Sequence, residues 1–437
     1  MSWTKLIMVA ETSGKGNVCD IGGPIASLFS CCQGYGGQIA VTRFTLVFLV
    51  LSIRCTATLL PMIAGFATPE GTARYRRRFP QLAEADFFRH PENVPSGREL
   101  WLSSIGLGTY LGEPDDQADA AYIAAISLAL RSGMNVLDSA INYRHQRSER
   151  NIGAALAALV ASGEILRDEV FVSTKAGYLS FDGSLPTDPR GYFVREYIES
   201  GIVDPKEVVG GMHCMAPDYL SDQIERSRKN LGLETIDLLY LHNPETQLSE
   251  VSAEVFRERL KRAFAFLEAC VKAGKLYFYG LATWNAFRVA DGARDYISLA
   301  ACAEIAREVG GPANHFRFVQ LPFNLAMPEA YVLANQMAAK KNVSLLSAAA
   351  HWGIAVMGSA TLYQGRLTQG LPSFVTQALG MKDDSENALQ FARSAPGITT
   401  SLVGMGHIEH VAANLRPALL PPTRLEDWQR LFTKRES

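Results

Sequence analysis

The 437-residue sequence predicts an α/β fold, a (β/α)8 TIM barrel, and three observations lead there. Eight short β-rich runs recur, at 104–110, 134–140, 169–177, 236–243, 276–283, 316–324, 353–360 and 400–406. Most are separated by stretches able to form a helix, which makes eight successive β/α units. Runs such as VFVST and IDLLYL lack polar alternation, as expected of parallel strands buried on both faces.

Taken in order, the first run ends in GLGTY and the second leads into LDSAINYRHQRSERNIG. The third reads VFVSTKAG and the fourth DLLYLHNPE. Between these two, the stretch 219–233 predicts a helix. Leu220, Ile224, Ser227 and Leu231 mark one face, charged residues occupy the others, and Gly232 stands near the stop. Asp138, Lys175 and His242 fall near the carboxyl ends of the second, third and fourth runs, with Tyr143 on the loop just beyond. A barrel gathers such ends around one mouth, so residues far apart in sequence converge there. A doubly wound nucleotide-binding sheet is the alternative fold. Neither Gly34-Tyr35-Gly36-Gly37 nor Gly210-Gly211 has the GxGxxG spacing, and SGKG at 13–16 lacks the glycine and the Ser or Thr of a phosphate loop.

Singly, a lysine after a strand is surface charge, a tyrosine is packing and a strand-end histidine is structural. Jointly, LDSAxxY, SERNIGAAL, STKAG and YLHNP resemble the Asp-Tyr-Lys-His set of the aldo-keto reductase family, in order and in local context, over roughly 98–415. The resemblance implies hydride transfer from a nicotinamide cofactor to an aldehyde or ketone, with Tyr143 as general acid. A carbonyl that accepts a hydride must also receive a proton, and tyrosine, with an ordinary pKa of about 10, needs help near neutrality. On this reading Lys175 lowers the tyrosine pKa, Asp138 keeps Lys175 charged and oriented, and His242 hydrogen-bonds the substrate oxygen or the tyrosine hydroxyl. His242 stands where a double-bond-reducing branch of the family has glutamate, which favours carbonyl reduction.

The resemblance also implies cofactor contacts. Gly108, Thr109 and Tyr110 lie beside the nicotinamide ribose, with Asp138 close by, and Gln320 bonds the carboxamide. In SLVGMGHIEHVAANL, backbone N–H groups of Gly404, Met405 and Gly406 form an anion site and Asn414 contacts adenine. Leu362 and Gly365, after the seventh run, join this set. The chain departs from the family pattern at four places. Gly404 and Met405 stand where many members grip a 2′-phosphate with Lys or Ser, and His410 replaces Arg. Ala282 and Thr283 occupy the place of a Ser-Asn pair, and Ser359 that of a stacking aromatic ring. The cofactor implied is NADPH, with NADH possible.

Outside the barrel the sequence changes character. Residues 1–67 form a leader, Gly- and Cys-rich and then strongly apolar over 44–66, where Arg54 interrupts a run otherwise long enough to cross a bilayer. An export signal would place its apolar region nearer Met1, which leaves a membrane anchor or a true start at Met62 as readings of this segment. The barrel is assigned to 68–437 and expected to need nothing upstream of about Thr68. Net charge is −2, so no nucleic-acid partner is implied, and RYRRRF at 74–79 reads as a solvated segment. Cys214, Cys270 and Cys302 are isolated and no histidine cluster has metal spacing, so neither a disulfide framework nor a metal is expected, and the location expected is cytoplasmic. The expected partner is a small carbonyl substrate; oligomeric state is open. A regulatory, redox-sensing subunit of the same fold is the alternative function, with the apolar leader as its support. Finally, Lys175 and His242 are much further apart than the roughly 30 residues of a compact β-α-β unit. The excess, about 178–217, carries Tyr and Phe residues and is expected to wall or cover the substrate pocket.

Overall fold

The computed structural model describes residues 62–91 and 99–433. Eight strands close into a parallel barrel: β1 (Ile105–Gly108), β2 (Val136–Asp138), β3 (Phe171–Ala176), β4 (Ile236–His242), β5 (Leu276–Ala282), β6 (Phe316–Pro322), β7 (Ala355–Ser359) and β8 (Ile398–Gly404). Each strand pairs with its sequence neighbours, and β8 closes on β1 through Ser401 opposite Ile105. Seven of the eight predicted runs contain their barrel strand, and the eighth, 400–406, overlaps β8, which starts earlier at Ile398.

The missing polar alternation has a direct cause. Along β4, Leu238 and Tyr240 belong to a cluster with Val136, Phe171, Phe278 and Phe318, while Leu239 and Leu241 belong to the larger layer under the helices. Rings from β3 and β6, which are not neighbours, approach to 5.4 Å (Phe171 and Phe318), so the first cluster fills the barrel interior. The predicted helix forms as Pro217–Leu231 and buries Leu220, Ile224, Ser227 and Leu231. It stops at Gly232, whose φ of +66° suits glycine.

Two features correct the sequence reading at the closed end of the barrel. The fold engages the chain from Ile63, upstream of the expected boundary. Ile63 bridges Leu233, and the Ala67 amide donates to the buried Asp237 carboxylate at 2.6 Å, beside Arg167 and the Val172 amide. A buried carboxylate needs its donors, and Ala67 is one of three. The basic run is not merely solvated either. Arg74 pairs with Asp168 and Glu169, Arg78 pairs with Glu169, and Tyr75 is buried between them. Residues 44–61 of the apolar segment lie outside the described residues, and no described helix is long and apolar enough to cross a membrane.

The long excursion after β3 contains a helix, Pro189–Phe193, that continues as a wider turn over Val194–Glu199. Phe181 stacks on Phe193, and Tyr197 is buried against Tyr219. Further on, the chain returns so that Tyr178 bridges His213, at the edge of the mouth.

Candidate active site

At the carboxyl ends of the strands, a cavity of about 610 Å³ opens between β1, β2, β4 to β8 and their following loops. Asp138 ends β2 and is the hub of a buried network. One carboxylate oxygen accepts from Ser173 Oγ (2.7 Å) and Gln320 Nε2 (2.9 Å), the other from Lys175 Nζ at 2.5 Å. Lys175 also donates to the Ser139 carbonyl at 2.7 Å, and its ammonium lies 4.8 Å from the Tyr143 ring centroid. The ammonium is thus below the tyrosine, out of solvent and off the cavity wall, while Asp138, Tyr143 and His242 face the cavity.

Tyr143 is presented by an unusual turn. Arg144, His145 and Gln146 all have positive φ (47°, 55° and 72°), a region that costs L-residues of order 1 kcal/mol each. Tertiary bonds hold the turn: Arg144 donates to the Glu113 carbonyl and to Asp119, Gly183 N–H to the His145 carbonyl, and Gln146 to the Phe181 carbonyl. The SERNIG motif then anchors the next helix, Arg147–Ala161. Ser148 Oγ donates to the Thr109 carbonyl, and buried Glu149 accepts from Thr174 Oγ1 at 2.6 Å.

The electrostatics differ from the sequence expectation. Burial pushes the Tyr143 hydroxyl well above its ordinary pKa and the Asp138 charge reinforces it, so the expected lowering by Lys175 is corrected. Burial pulls Lys175 down, with Asp138 opposing. His242 is held well below its ordinary value by burial, then by Lys175 and His213. Near neutrality the site therefore holds a protonated tyrosine and a neutral imidazole. The His242 ring stands 5.8 Å from that of Tyr143, edge to face, and its Nδ1 is buried without a partner.

Of the predicted cofactor contacts, Gly108, Thr109, Tyr110, Asp138, Thr283, Gln320, Ser359, Leu362, Gly365, Gly404, His410 and Asn414 line the cavity. Met405 and Gly406 do not. The Met405 side chain is fully buried among apolar side chains, and a Cβ on Gly406 would press on the Tyr122 ring at 3.2 Å. The excursion at 178–217 is also corrected: none of its residues lines the cavity. Sequence reasoning missed Leu111, Trp284, Tyr363, Gln364, Thr368 and Ser385, which do line it. Around the β7 loop, Ala360, Tyr363 and Gln364 take positive φ although none is Gly or Asn, and of this turn only Gly365 signals itself in the sequence.

The sequence model of the Aldo/keto reductase family matches residues 104–433. The chain belongs to that family. Among curated relatives of this aldo/keto reductase family member, human aldo-keto reductase family 1 member C2 is 24% identical over 144 residues, and aldose reductase B of Dictyostelium discoideum 29% over 143. Each match takes in 33% of this chain and only about a third of the relative, 32% and 33% respectively. Solved structures cover more. The holo form of an aldo-keto reductase from Bacillus halodurans superposes with a TM-score of 0.54 over 79% of this chain and 95% of its own, at 16% identity. One from Klebsiella pneumoniae, solved with NADP and acetate, gives 0.52 over 79% and 96% at 19% identity. These likenesses establish the barrel.

Proposed function

We propose that this aldo/keto reductase family member reduces a small aldehyde or ketone with a nicotinamide dinucleotide, NADPH or NADH. The observation that carries the proposal is the Asp138–Lys175 pair buried directly beneath a Tyr143 that, with His242, faces the open cavity. The cavity suits such a cofactor in size and chemistry: its volume of about 610 Å³ falls in the usual range for ligand sites. Thr283 Oγ1 is buried there without a partner, and Gln320, Ser359, His410 and Asn414 supply further polar contacts. When bound, the cofactor supplies a hydride to the carbonyl carbon.

The chain's own residues handle the proton and the charge. Tyr143 holds its proton firmly in the resting site, so it gives it up only as negative charge develops on the carbonyl oxygen. The ammonium of Lys175, 4.8 Å from the ring, then stabilises the phenolate that remains. Asp138 fixes that ammonium, and the Ser173 and Gln320 donors fix Asp138. A neutral His242 orients the substrate oxygen without competing as an acid. Tyr143→Phe tests the proposal. Carbonyl turnover should fall at least about 100-fold, while cofactor affinity, read by quenching of protein fluorescence, stays near wild type. Near-normal turnover would remove Tyr143 from the mechanism.

NADP complexes of the Klebsiella structure support NADPH as the physiological donor. A cytoplasmic location is proposed with it, supported by Cys214, Cys270 and Cys302 all being buried free thiols. The regulatory alternative leans on 44–66, most of which lies outside the described residues.

A further inference from the structure

The excursion after β3 is longer than a compact β-α-β connection and none of its residues lines the cavity, yet its ends converge on one point of the site. That point is the backbone of His242. His213, fully buried, lies with Nε2 2.7 Å from the His242 carbonyl oxygen. A carbonyl only accepts, so Nε2 carries the proton and Nδ1 is the acceptor, which matches the Gln247 amide donating to Nδ1 at 2.9 Å. Gln247 in turn accepts from Arg259 at 2.5 Å, and Arg259 also grips the excursion through the Lys206 and Glu207 carbonyls. A one-directional chain of donors thus runs from Arg259 through Gln247 and His213 to the strand end that carries His242.

Two further observations show that the contact is built. Gly177 passes so close that a Cβ would lie 2.8 Å from the His242 carbonyl oxygen and 2.9 Å from His213 Nε2, so any side chain there would wedge into the bond. Tyr178, next in sequence, sets its ring edge-on to both imidazoles, 5.0 Å from His213 and 5.1 Å from His242. Its own hydroxyl is held by Asn243 and Thr246. His242 has no hydrogen bond at Nδ1 to fix its ring, so its orientation depends on its backbone and on the rings of Tyr178 and Tyr143. Just beyond it, Asn243 is forced to a φ of 46°, where the strand breaks into the loop. A bond on the His242 carbonyl acts at this junction.

We infer that His213 is a positioning residue: by donating from Nε2 to the His242 carbonyl, it fixes how the His242 ring meets the substrate oxygen. The inference rests on the carbonyl-reductase reading for its kinetic consequence, though not for its structural one. Burial holds His213 down to about 4, so the ring stays neutral, and the polarity of the donor chain constant, through the neutral range.

Three variants of the full chain test it: His213→Leu, which removes the donor; His213→Gln, whose amide nitrogen can occupy the place of Nε2; and Gln247→Leu, one bond further out. Turnover is read on a carbonyl panel with NADPH, and the His242 ring by NMR of protein carrying 15N-labelled histidine. His213→Leu should lower kcat by about tenfold with cofactor affinity unchanged, roughly the worth of one lost hydrogen bond. His213→Gln should recover most of that loss, and the His242 resonances should move in the Leu variant and return in the Gln variant. Combined with His242→Asn, His213→Leu should add little further loss in single-turnover rate, because both act through one ring. Wild-type kcat in a folded His213→Leu protein, or losses that multiply in full, overturns the inference. Should His213→Leu not fold, Gln247→Leu carries the same test, with a smaller fall in kcat and the same shift at His242 expected; no effect on either overturns it. A wild-type protein that reduces no carbonyl overturns the functional reading alone, since the His242 resonances still report on His213.

Discussion

Glu245 follows His242 by three positions and is buried where a carboxylate is hard to keep ionised. One oxygen accepts from the backbone N–H groups of Trp284 (2.7 Å) and Asn285 (3.1 Å), and the other is buried without a partner. Burial pushes its pKa up to about 7 from an ordinary 4.5, against the pull of those amides. Between those two pH values the folded protein keeps a proton that the unfolded chain has released. Stability must therefore fall as pH rises through this window and level off above it. The gap corresponds to about 3 kcal/mol as an upper figure. Glu245→Gln retains the accepting oxygen for Trp284 and Asn285 and never ionises. Near pH 5 the variant should match wild type within a fraction of this amount, and at pH 8 it should be the more stable by up to about 3 kcal/mol. Urea midpoints of the two proteins at both pH values measure the difference, and every other titrating group cancels from the comparison. An offset between variant and wild type that is the same at pH 5 and pH 8 would refute the argument. A variant less stable than wild type at pH 8 alone would show that the backbone donors outweigh burial.

Breaking the Asp138–Lys175 pair with Lys175→Met should destabilise the fold by about 3–5 kcal/mol, because it leaves a buried carboxylate short of a cation. Adding Asp138→Asn should restore much of the thermal midpoint and none of the turnover. His410→Arg should strengthen NADPH binding well beyond NADH binding, since an arginine fork holds a phosphomonoester better than an imidazole; equal effects, measured by fluorescence titration, would place His410 away from the 2′-phosphate. A chain begun at Met62 should fold and reduce carbonyls, whereas one begun at Thr68 should lose about 1–3 kcal/mol with the Ala67 donor to Asp237. Equal melting temperatures for the two would show that the Ile63 and Ala67 bonds are dispensable.

The strands were legible because a barrel strand buries both faces, and that leaves an unbroken apolar run in the sequence. Asp138, Lys175 and His242 were legible as charged or polar residues at the ends of such runs, where a folded core tolerates them only in partnership. Their partners were not. Ser173 reaches Asp138 from the register position opposite it on β3, and Gln320 from β6, which only barrel closure brings near. The direction of the Tyr143 shift was missed for a related reason. Sequence shows that a lysine is near in the fold, but not how much solvent the fold removes, and here desolvation and the Asp138 charge prevail. The Met405 side chain misses the cavity because alternation past the strand end turns it, like Val403, to the layer under the helices.

The excursion after β3 shows where the limit lies. Its length was readable, and so was its aromatic content, but a loop at a barrel mouth can lean over the cavity or fold back behind a strand end. The deciding contacts are long-range. Phe181 closes on Phe193 within the loop, while Tyr197 sinks against Tyr219 and Arg226 pairs with Glu196 at 2.6 Å, two contacts that tie the loop to the helix Pro217–Leu231. The same folding back carries His213 beneath β4. A loop drawn away from the cavity in this way leaves substrate access to Tyr110, Leu111 and Trp284, which are exposed on the rim. Substitutions within 181–199 should therefore alter stability before substrate choice, and changes at Trp284 the reverse, a contrast that kcat/KM across a carbonyl panel resolves.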